Sequence, residues 1–383
     1  MKIVYLSGSR IFLCSDGKTT ELPCERAAKY TDAVNEIQKN KEWKLQGTGA
    51  IFREEQQYFS DNRSDISING LSSADKGFIY SAVLGGMGAI YRKSADSPKA
   101  PEGHIYTGMD RRIGDIACKD GSIAAILDEH LAIFDERGDY NELTDGPSRE
   151  ADPFWSATDG RLFCSTRGCS LDGQSIYSES SIMAVDQEAG TIETLFESSG
   201  NDLLKPQNDS QGNFYYIRQP YKSPVPQKES VIKSVLLFPV RLIKAIFGFI
   251  NVFSVIFGGE PLRKNQKRGD IKTKNKSARQ IFFEERLLEA EKNEKENAAA
   301  GDKNPGIFPR NRVLVRVALD GSETVIGKGI MDYTLCDEGV LCSNGKELLL
   351  IDGYGAEKVI AKAELAEKLC VIKEGTASEG QKS

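Results

Sequence analysis

Short apolar runs of strand length alternate with tight polar turns along most of the chain. One set of turns carries glycine at Gly77, Gly121, Gly160, Gly212 and Gly339. Each glycine leads at once into a β-prone run, such as Phe78-Ile79-Tyr80, Leu162-Phe163 or Val340-Leu341-Cys342. A second set ends apolar runs on an aspartate: Ile133-Phe134-Asp135, Ala184-Val185-Asp186, Ala318-Leu319-Asp320 and Leu350-Ile351-Asp352. The unit is therefore strand, turn, strand, connection, strand, turn, strand. Four antiparallel strands per repeat predict the blade of a β-propeller.

The spacing of the first glycines tests the repeat. Successive intervals are 44, 39 and 52 residues, and then 127 between Gly212 and Gly339. Residues 222–306 share none of the pattern, and removing those 85 positions returns the last interval to 42. An insertion thus falls inside one blade, after the run Phe214-Tyr215-Tyr216-Ile217. The termini complete the count. Lys2–Leu6, Arg10–Cys14 and Lys18–Leu22 supply three strands, and Leu369–Ile372 supplies a fourth. Joining both ends in one blade closes the ring without a free edge. The expectation is an all-β, six-bladed propeller made of residues 1–221 and 307–375. Residues 25–42 are expected to be helical, outside the ring, and 376–383 a disordered tail. Residues 43–62, with one strand-like run at Gly49–Arg53, are the place for a seventh blade.

Ala151-Asp152-Pro153-Phe154-Trp155-Ser156-Ala157-Thr158-Asp159-Gly160-Arg161-Leu162-Phe163 resembles the Pro-x-Trp-Ser-Pro-Asp-Gly repeat of TolB-type propellers. It is also similar to propeller domains of prolyl-oligopeptidase-like proteins. Ala157-Thr158 replaces the proline of that pattern, and the other blades keep only its Asp-Gly part. The resemblance implies a six-bladed ring used as a binding platform and carries no catalytic residues.

The insertion has a different character. Residues 231–257 are the most apolar stretch in the chain, yet the longest uncharged run there, which extends over 245–259, has only 15 residues. That falls short of the ~20 needed to span a bilayer. On a helical wheel Lys233, Arg241, Lys244, Gly248 and Asn251 occupy a stripe of about 80°. Leu236, Leu237, Phe238, Ile243, Ile246, Phe247, Phe249, Ile250, Phe253, Ile256 and Phe257 are the expected membrane-contact residues. Lys233, Arg241, Lys244, Arg263, Lys264, Lys267 and Arg268 are the expected lipid-headgroup contacts. Pro239 would divide or kink this helix. Residues 277–299 look helical in turn.

Charge sharpens the division. The whole chain carries −6, but residues 228–279 carry 12 positive and 3 negative side chains, so the remainder stands at −15. An apolar segment with a polybasic flank is the two-signal pattern for an anionic cytoplasmic leaflet. Both ends of the segment belong to one blade, so an interfacial or re-entrant placement is expected rather than a single crossing.

Candidate chemistry is sparse. Only His104 and His130 are present, and both look like loop histidines. Glu150 and Asp152 are read as turn caps, Trp155 and Trp43 as core, and Gly85-Gly86-Met87-Gly88 as a glycine-rich turn. Eight cysteines without a Cys-x-x-Cys pair suggest buried free thiols. No secretory leader is evident at the start. The acidic balance argues against a nucleic-acid partner. No catalytic, cofactor or metal site is assigned. The leading expectation is a non-catalytic propeller on the cytoplasmic (inner) membrane face, peripheral or monotopic, serving as a scaffold for an unknown protein or peptide. Two alternatives stand beside it: a metal-dependent lactonase- or hydrolase-like propeller enzyme, and a soluble propeller that self-associates through 231–257.

Overall fold

The structure is a computed structural model. It describes residues 1–33, 36, 66–75, 77–97, 100–169, 178–222, 280–283, 286–353 and 355–372. These residues form six four-stranded antiparallel sheets. Blade 1 contains β1 (Lys2–Ser7), β2 (Arg10–Ser15) and β3 (Lys18–Leu22). Blade 2 follows as β4 (Ile66–Ala74), β5 (Gly77–Leu84), β6 (Met87–Lys93) and β7 (Gly103–Met109). Blade 3 is β8 (Ile113–Lys119), β9 (Ser122–Leu127), β10 (His130–Phe134) and β11 (Tyr140–Glu142). Blade 4 is β12 (Ser148–Trp155), β13 (Leu162–Gly168), β14 (Ser181–Asp186) and β15 (Thr191–Phe196).

Blade 5 is interrupted. β16 (Asn201–Asn208) and β17 (Phe214–Pro220) precede the insertion, which contains the hairpin β18 (Gln280–Phe283) and β19 (Arg286–Glu289) and helix α1 (Ala290–Ala299). β20 (Val313–Val317) and β21 (Glu323–Lys328) complete the blade, and β17 pairs directly with β20. Blade 6 is β22 (Asp332–Cys336), β23 (Gly339–Ser343), β24 (Glu347–Ile351) and β25 (Glu357–Lys362). The last strand, β26 (Glu367–Ile372), returns to pair with β1, so blade 1 joins both ends of the chain. Strands β26, β4, β8, β12, β16 and β22 are the innermost of their blades and neighbour one another around the ring.

The core lies between blades. Six apolar clusters fill the six blade interfaces, for example Val4, Leu6, Phe78 and Tyr80 between blades 1 and 2, and Ile79, Ile113 and Phe134 between blades 2 and 3. Middle strands are buried on both faces, as in β5 and β9, and so read as continuous apolar runs. Outer strands such as β15 are mostly exposed and polar.

Several expectations change in detail. Residues 25–33 are helical, and the rest of 25–42 lies outside the described residues apart from residue 36. Glu102 accepts the Glu25 and Arg26 backbone N–H groups at 3.1 and 3.0 Å, which caps that helix, and Lys93 pairs with Glu102 at 3.4 Å in full burial. The glycine-rich turn joins β5 to β6. The Tyr30 hydroxyl rests where a side chain on Gly85 would project, so close packing accounts for that glycine. Among the described residues of 277–299 the helix begins at Ala290; Gln280–Phe283 and Arg286–Glu289 instead pair as a hairpin, whose Ile281 and Phe283 pack against the cluster of Phe308 and Met331. The seventh-blade candidate at 43–62, the expected tail 376–383 and every expected membrane or headgroup contact lie outside the described residues.

Candidate functional site in the propeller channel

Five innermost strands carry a register shift at the same depth: β4 between Ile68 and Gly70, β8 between Ile113 and Ile116, β12 between Ala151 and Phe154, β16 between Leu204 and Gln207, and β26 opposite Val4 and Leu6. A bulge re-aims the side chain at the extra residue. Asp152, Lys205 and Lys368 sit at these bulges with φ of 52°, 55° and 52°. Together with Asp115 and Asp332 they form one ionic network in the channel.

Lys368 Nζ lies 2.5 Å from Asp115 Oδ1 and 3.4 Å from Asp152 Oδ1. Lys205 Nζ lies 3.5 Å from Asp152 Oδ1 and 3.3 Å from Asp332 Oδ1. Backbone donors repeat the theme from blade to blade. Asp115 accepts the Asp152 N–H, Asp152 accepts the Lys205 N–H, and Asp332 accepts the Lys368 N–H. Each carboxylate thus fastens the bulge of another blade. Blade 2 contributes Gly70 instead of a charged residue. A Cβ there would meet the Ile116 nitrogen at 2.8 Å and the Gly114 oxygen at 2.9 Å, so strand β8 approaches too closely for any side chain. Lys368 reaches past this blade to Asp115 in the next.

Burial and charge act against each other in the network. At Asp152 burial works to raise the pKa, but Lys205, Lys368 and the Ser165 hydroxyl outweigh it and hold the carboxyl well below its usual 3.8. At Asp115 burial prevails over Lys368, and the pKa rises. Burial also raises Glu367. At Lys368 burial opposes the charge, yet Asp115, Asp152 and Asp332 override it and the pKa rises well above 10.5.

The signs define a pH profile. Asp152 stabilises the fold above pH 3.8, and that contribution drains away as pH falls through its lower folded value. Asp115 and Glu367 take up protons more readily folded than unfolded, so they oppose the loss. The Lys368 contribution is complete below pH 10.5 and is lost only above it. Asp152→Asn is therefore expected to flatten the acid limb of urea stability between about pH 5 and 2. Asp115→Asn should steepen it. An acid limb unchanged in both variants would contradict this assignment.

Chemically, the network is an ionic clasp that ties residues of five blades together. The carboxylates a divalent cation would need are already shared between two ammonium groups. Among the described residues no group of three or more His, Cys, Asp or Glu is arranged to hold a metal. Glu150 and Asp152 are strand residues here, not turn caps. Glu150 is buried and accepts from Thr144 at 2.9 Å and Ser148 at 2.6 Å, with His130 Nδ1 at 3.1 Å. His104 is exposed, 2.7 Å from the Thr107 hydroxyl. Trp155 donates to the Ala117 carbonyl at 3.1 Å and, half-buried, packs against the apolar cluster between blades 3 and 4; Trp43 lies outside the described residues. All eight cysteines are free thiols, and burial pushes Cys24 and Cys370 up to about 12.

The sequence reading missed the channel, though a signal was present. Gly70, Asp115, Asp152, Lys205 and Asp332 each precede a turn glycine by six to eight residues. A charge recurring inside otherwise apolar first strands marks an inward-facing position.

The chain is similar to TolB-type propellers. TolB from Acinetobacter baumannii aligns over 96% of this chain and 66% of its own, with 8% identity and a TM-score of 0.44. TolB from Agrobacterium tumefaciens aligns over 59% of this chain and 72% of its own, with 16% identity and a TM-score of 0.32. An oligogalacturonate lyase from Vibrio parahaemolyticus aligns over 92% of this chain and 73% of its own, with 7% identity and a TM-score of 0.35. The chain spans about two thirds of the Acinetobacter TolB. No protein-family model and no curated protein matches it.

Proposed function

We propose that this chain is a non-catalytic interaction propeller held on an anionic, cytoplasmic membrane face by residues 223–279, with the ring presented to a protein or peptide partner. The observation that carries the reading is where the segment is tethered. Arg218 of β17 stands opposite Val313 of β20 in the same sheet. The chain leaves blade 5 after β17, and the hairpin β18–β19 returns onto Phe308 beside β20. Exit and return thus share one edge of the ring, as an in-plane or re-entrant anchor requires. Among the described residues no helix is long and apolar enough to cross a membrane. The acidic remainder and the basic segment suit a ring repelled from anionic lipid and an arm attracted to it.

Flotation tests the reading. The intact protein should rise with phosphatidylcholine vesicles containing phosphatidylglycerol, less so as salt increases. A version lacking 223–279 should fold and stay at the bottom. Intact protein that fails to float, or a shortened version that floats equally, would sink the proposal. A vesicle-independent dimer that is lost with the segment would favour self-association. In the channel Asp115, Asp152 and Asp332 are paired with Lys205 and Lys368, which favours the interaction reading over the metal-dependent hydrolase alternative.

A further inference from the structure

The two faces of the ring differ, and topology sorts the connections between strands onto one or the other. Each blade is a four-stranded antiparallel sheet, so its strands alternate in direction from the inner strand outward. The turn between second and third strands and the connection to the next blade therefore share one face. The turns between first and second strands, and between third and fourth, share the opposite face. The insertion joins the second and third strands of blade 5, which puts it on the first face. Hydrogen bonds agree. The Tyr221 N–H, where the insertion leaves, donates to the Gly200 carbonyl of the β15–β16 connection at 2.9 Å. The Ile307 N–H, where it returns, donates to the Asn344 carbonyl of the β23–β24 turn at 3.1 Å.

Charge is divided unevenly between the faces. The opposite face is built on aspartate turns, among them Asp16, Asp120, Asp159, Asp209, Asp320 and Asp352. By sequence, none of its connections carries net positive charge. On the insertion's face the β7–β8 connection, Asp110-Arg111-Arg112, is net positive. An apolar side chain adjoins it. Met109 ends β7, is 74% exposed and stands opposite Met87, which follows the Gly85-Gly86 turn. Asp128 fixes this loop: its Oδ1 accepts the Arg112 N–H at 2.8 Å, and its own N–H donates to the Arg112 carbonyl at 2.9 Å. Arg111 pairs with Asp128 at 2.7 Å and Glu142 at 3.4 Å. Arg112 is exposed, and among the described residues its guanidinium has no partner. A fixed loop thus offers an apolar side chain and an unpaired cation together, the combination suited to the interface of an anionic bilayer. Blades 2 and 5 are three apart in a ring of six, so the loop stands across the face from the insertion.

We propose that the ring sits face-on to an anionic lipid surface, with the insertion and the Met109–Arg112 loop as its two contacts. The inference rests on the membrane reading above. Like charge turns the aspartate-rich face away from the lipid and leaves it to the protein or peptide partner.

Vesicles of phosphatidylcholine and phosphatidylglycerol, with brominated acyl chains as quencher, test the orientation. Met109→Trp and Leu319→Trp put reporters on opposite faces, Leu319 being 80% exposed in the β20–β21 turn. Read as the difference from the unaltered protein, emission from Met109→Trp should shift to the blue and be quenched on binding. Emission from Leu319→Trp should not change. Arg112→Glu should weaken vesicle partition about fivefold or more. Arg137→Glu, at an exposed position in the β10–β11 turn of the opposite face, should leave partition unchanged. An unquenched Met109→Trp, equal quenching of Leu319→Trp, or equal losses from the two arginine variants overturns the proposal; the membrane reading still stands if the unaltered protein floats. Failure of the unaltered protein to float overturns both.

Discussion

Lys368→Met should lower the free energy of unfolding by about 3 kcal/mol, measured by urea titration near neutral pH. The ammonium group stands between Asp115 and Asp152 on strands of two other blades. Removing it leaves two carboxylates crowded together, with Lys205 and the Ser165 hydroxyl still beside Asp152. Breaking one side of a buried pair costs more than the pair contributes, because a charge stays behind without its partner. Adding Asp115→Asn to Lys368→Met should therefore recover a large part of the loss. Its recovery, read as a double-mutant cycle, isolates the pairing from any change in β26 itself. Additive losses would show that the two groups are not coupled. Because β26 closes the ring against β1, the single variant should also raise hydrogen exchange first at the Val4–Cys370 and Ile3–Val371 pairs.

Arg312→Met is expected to have an effect of similar size, about 3 kcal/mol. Arg312 is 2% exposed, bonds to Ile330, Met331 and Gln219, and stands 5.7 Å from the ring centroids of both Phe283 and Phe308. Methionine keeps much of the volume but leaves two carbonyls and the Gln219 oxygen without this donor. The insertion's hold on the ring should loosen before the ring does. Limited proteolysis within 280–306 at conditions where blade 3 stays protected would show this. Cleavage no faster than in the unaltered protein would place the docking energy elsewhere, in the Asn297 bonds to Gly306 and Phe308.

Much of the ring was legible because its signals are local. The Gly77, Gly121, Gly160, Gly212 and Gly339 turns each join the first two strands of a blade. Glycine's tolerance of positive φ puts it at such turns whatever surrounds them. The terminal strands were also readable, since Lys2–Leu22 supplies only three strands of a blade and the strand-like run Glu367–Ile372 supplies the missing fourth. The hairpin at Gln280–Glu289 was not. Ile281-Phe282-Phe283 followed by charged residues suits a helix as well as a strand, and packing on Phe308 decides between them. The channel was hidden for a related reason. A lone Asp or Lys in a short strand looks like an edge or turn residue until its equivalents in other blades are superposed.

By itself, then, the sequence determined the blade count, the closure through both termini, the place of the insertion and the split between an acidic ring and a basic apolar arm. Those features depend on period, turn chemistry and summed charge, which need no knowledge of distant neighbours. Only the tertiary structure decided that Asp115, Asp152, Lys205, Asp332 and Lys368 meet, and that Arg312 binds the insertion's return to blade 5. Lys368 and Asp115 are 253 positions apart in the chain. Their contact exists because six blades close a ring and bulges turn five inner strands toward one axis, a geometry that no local stretch encodes.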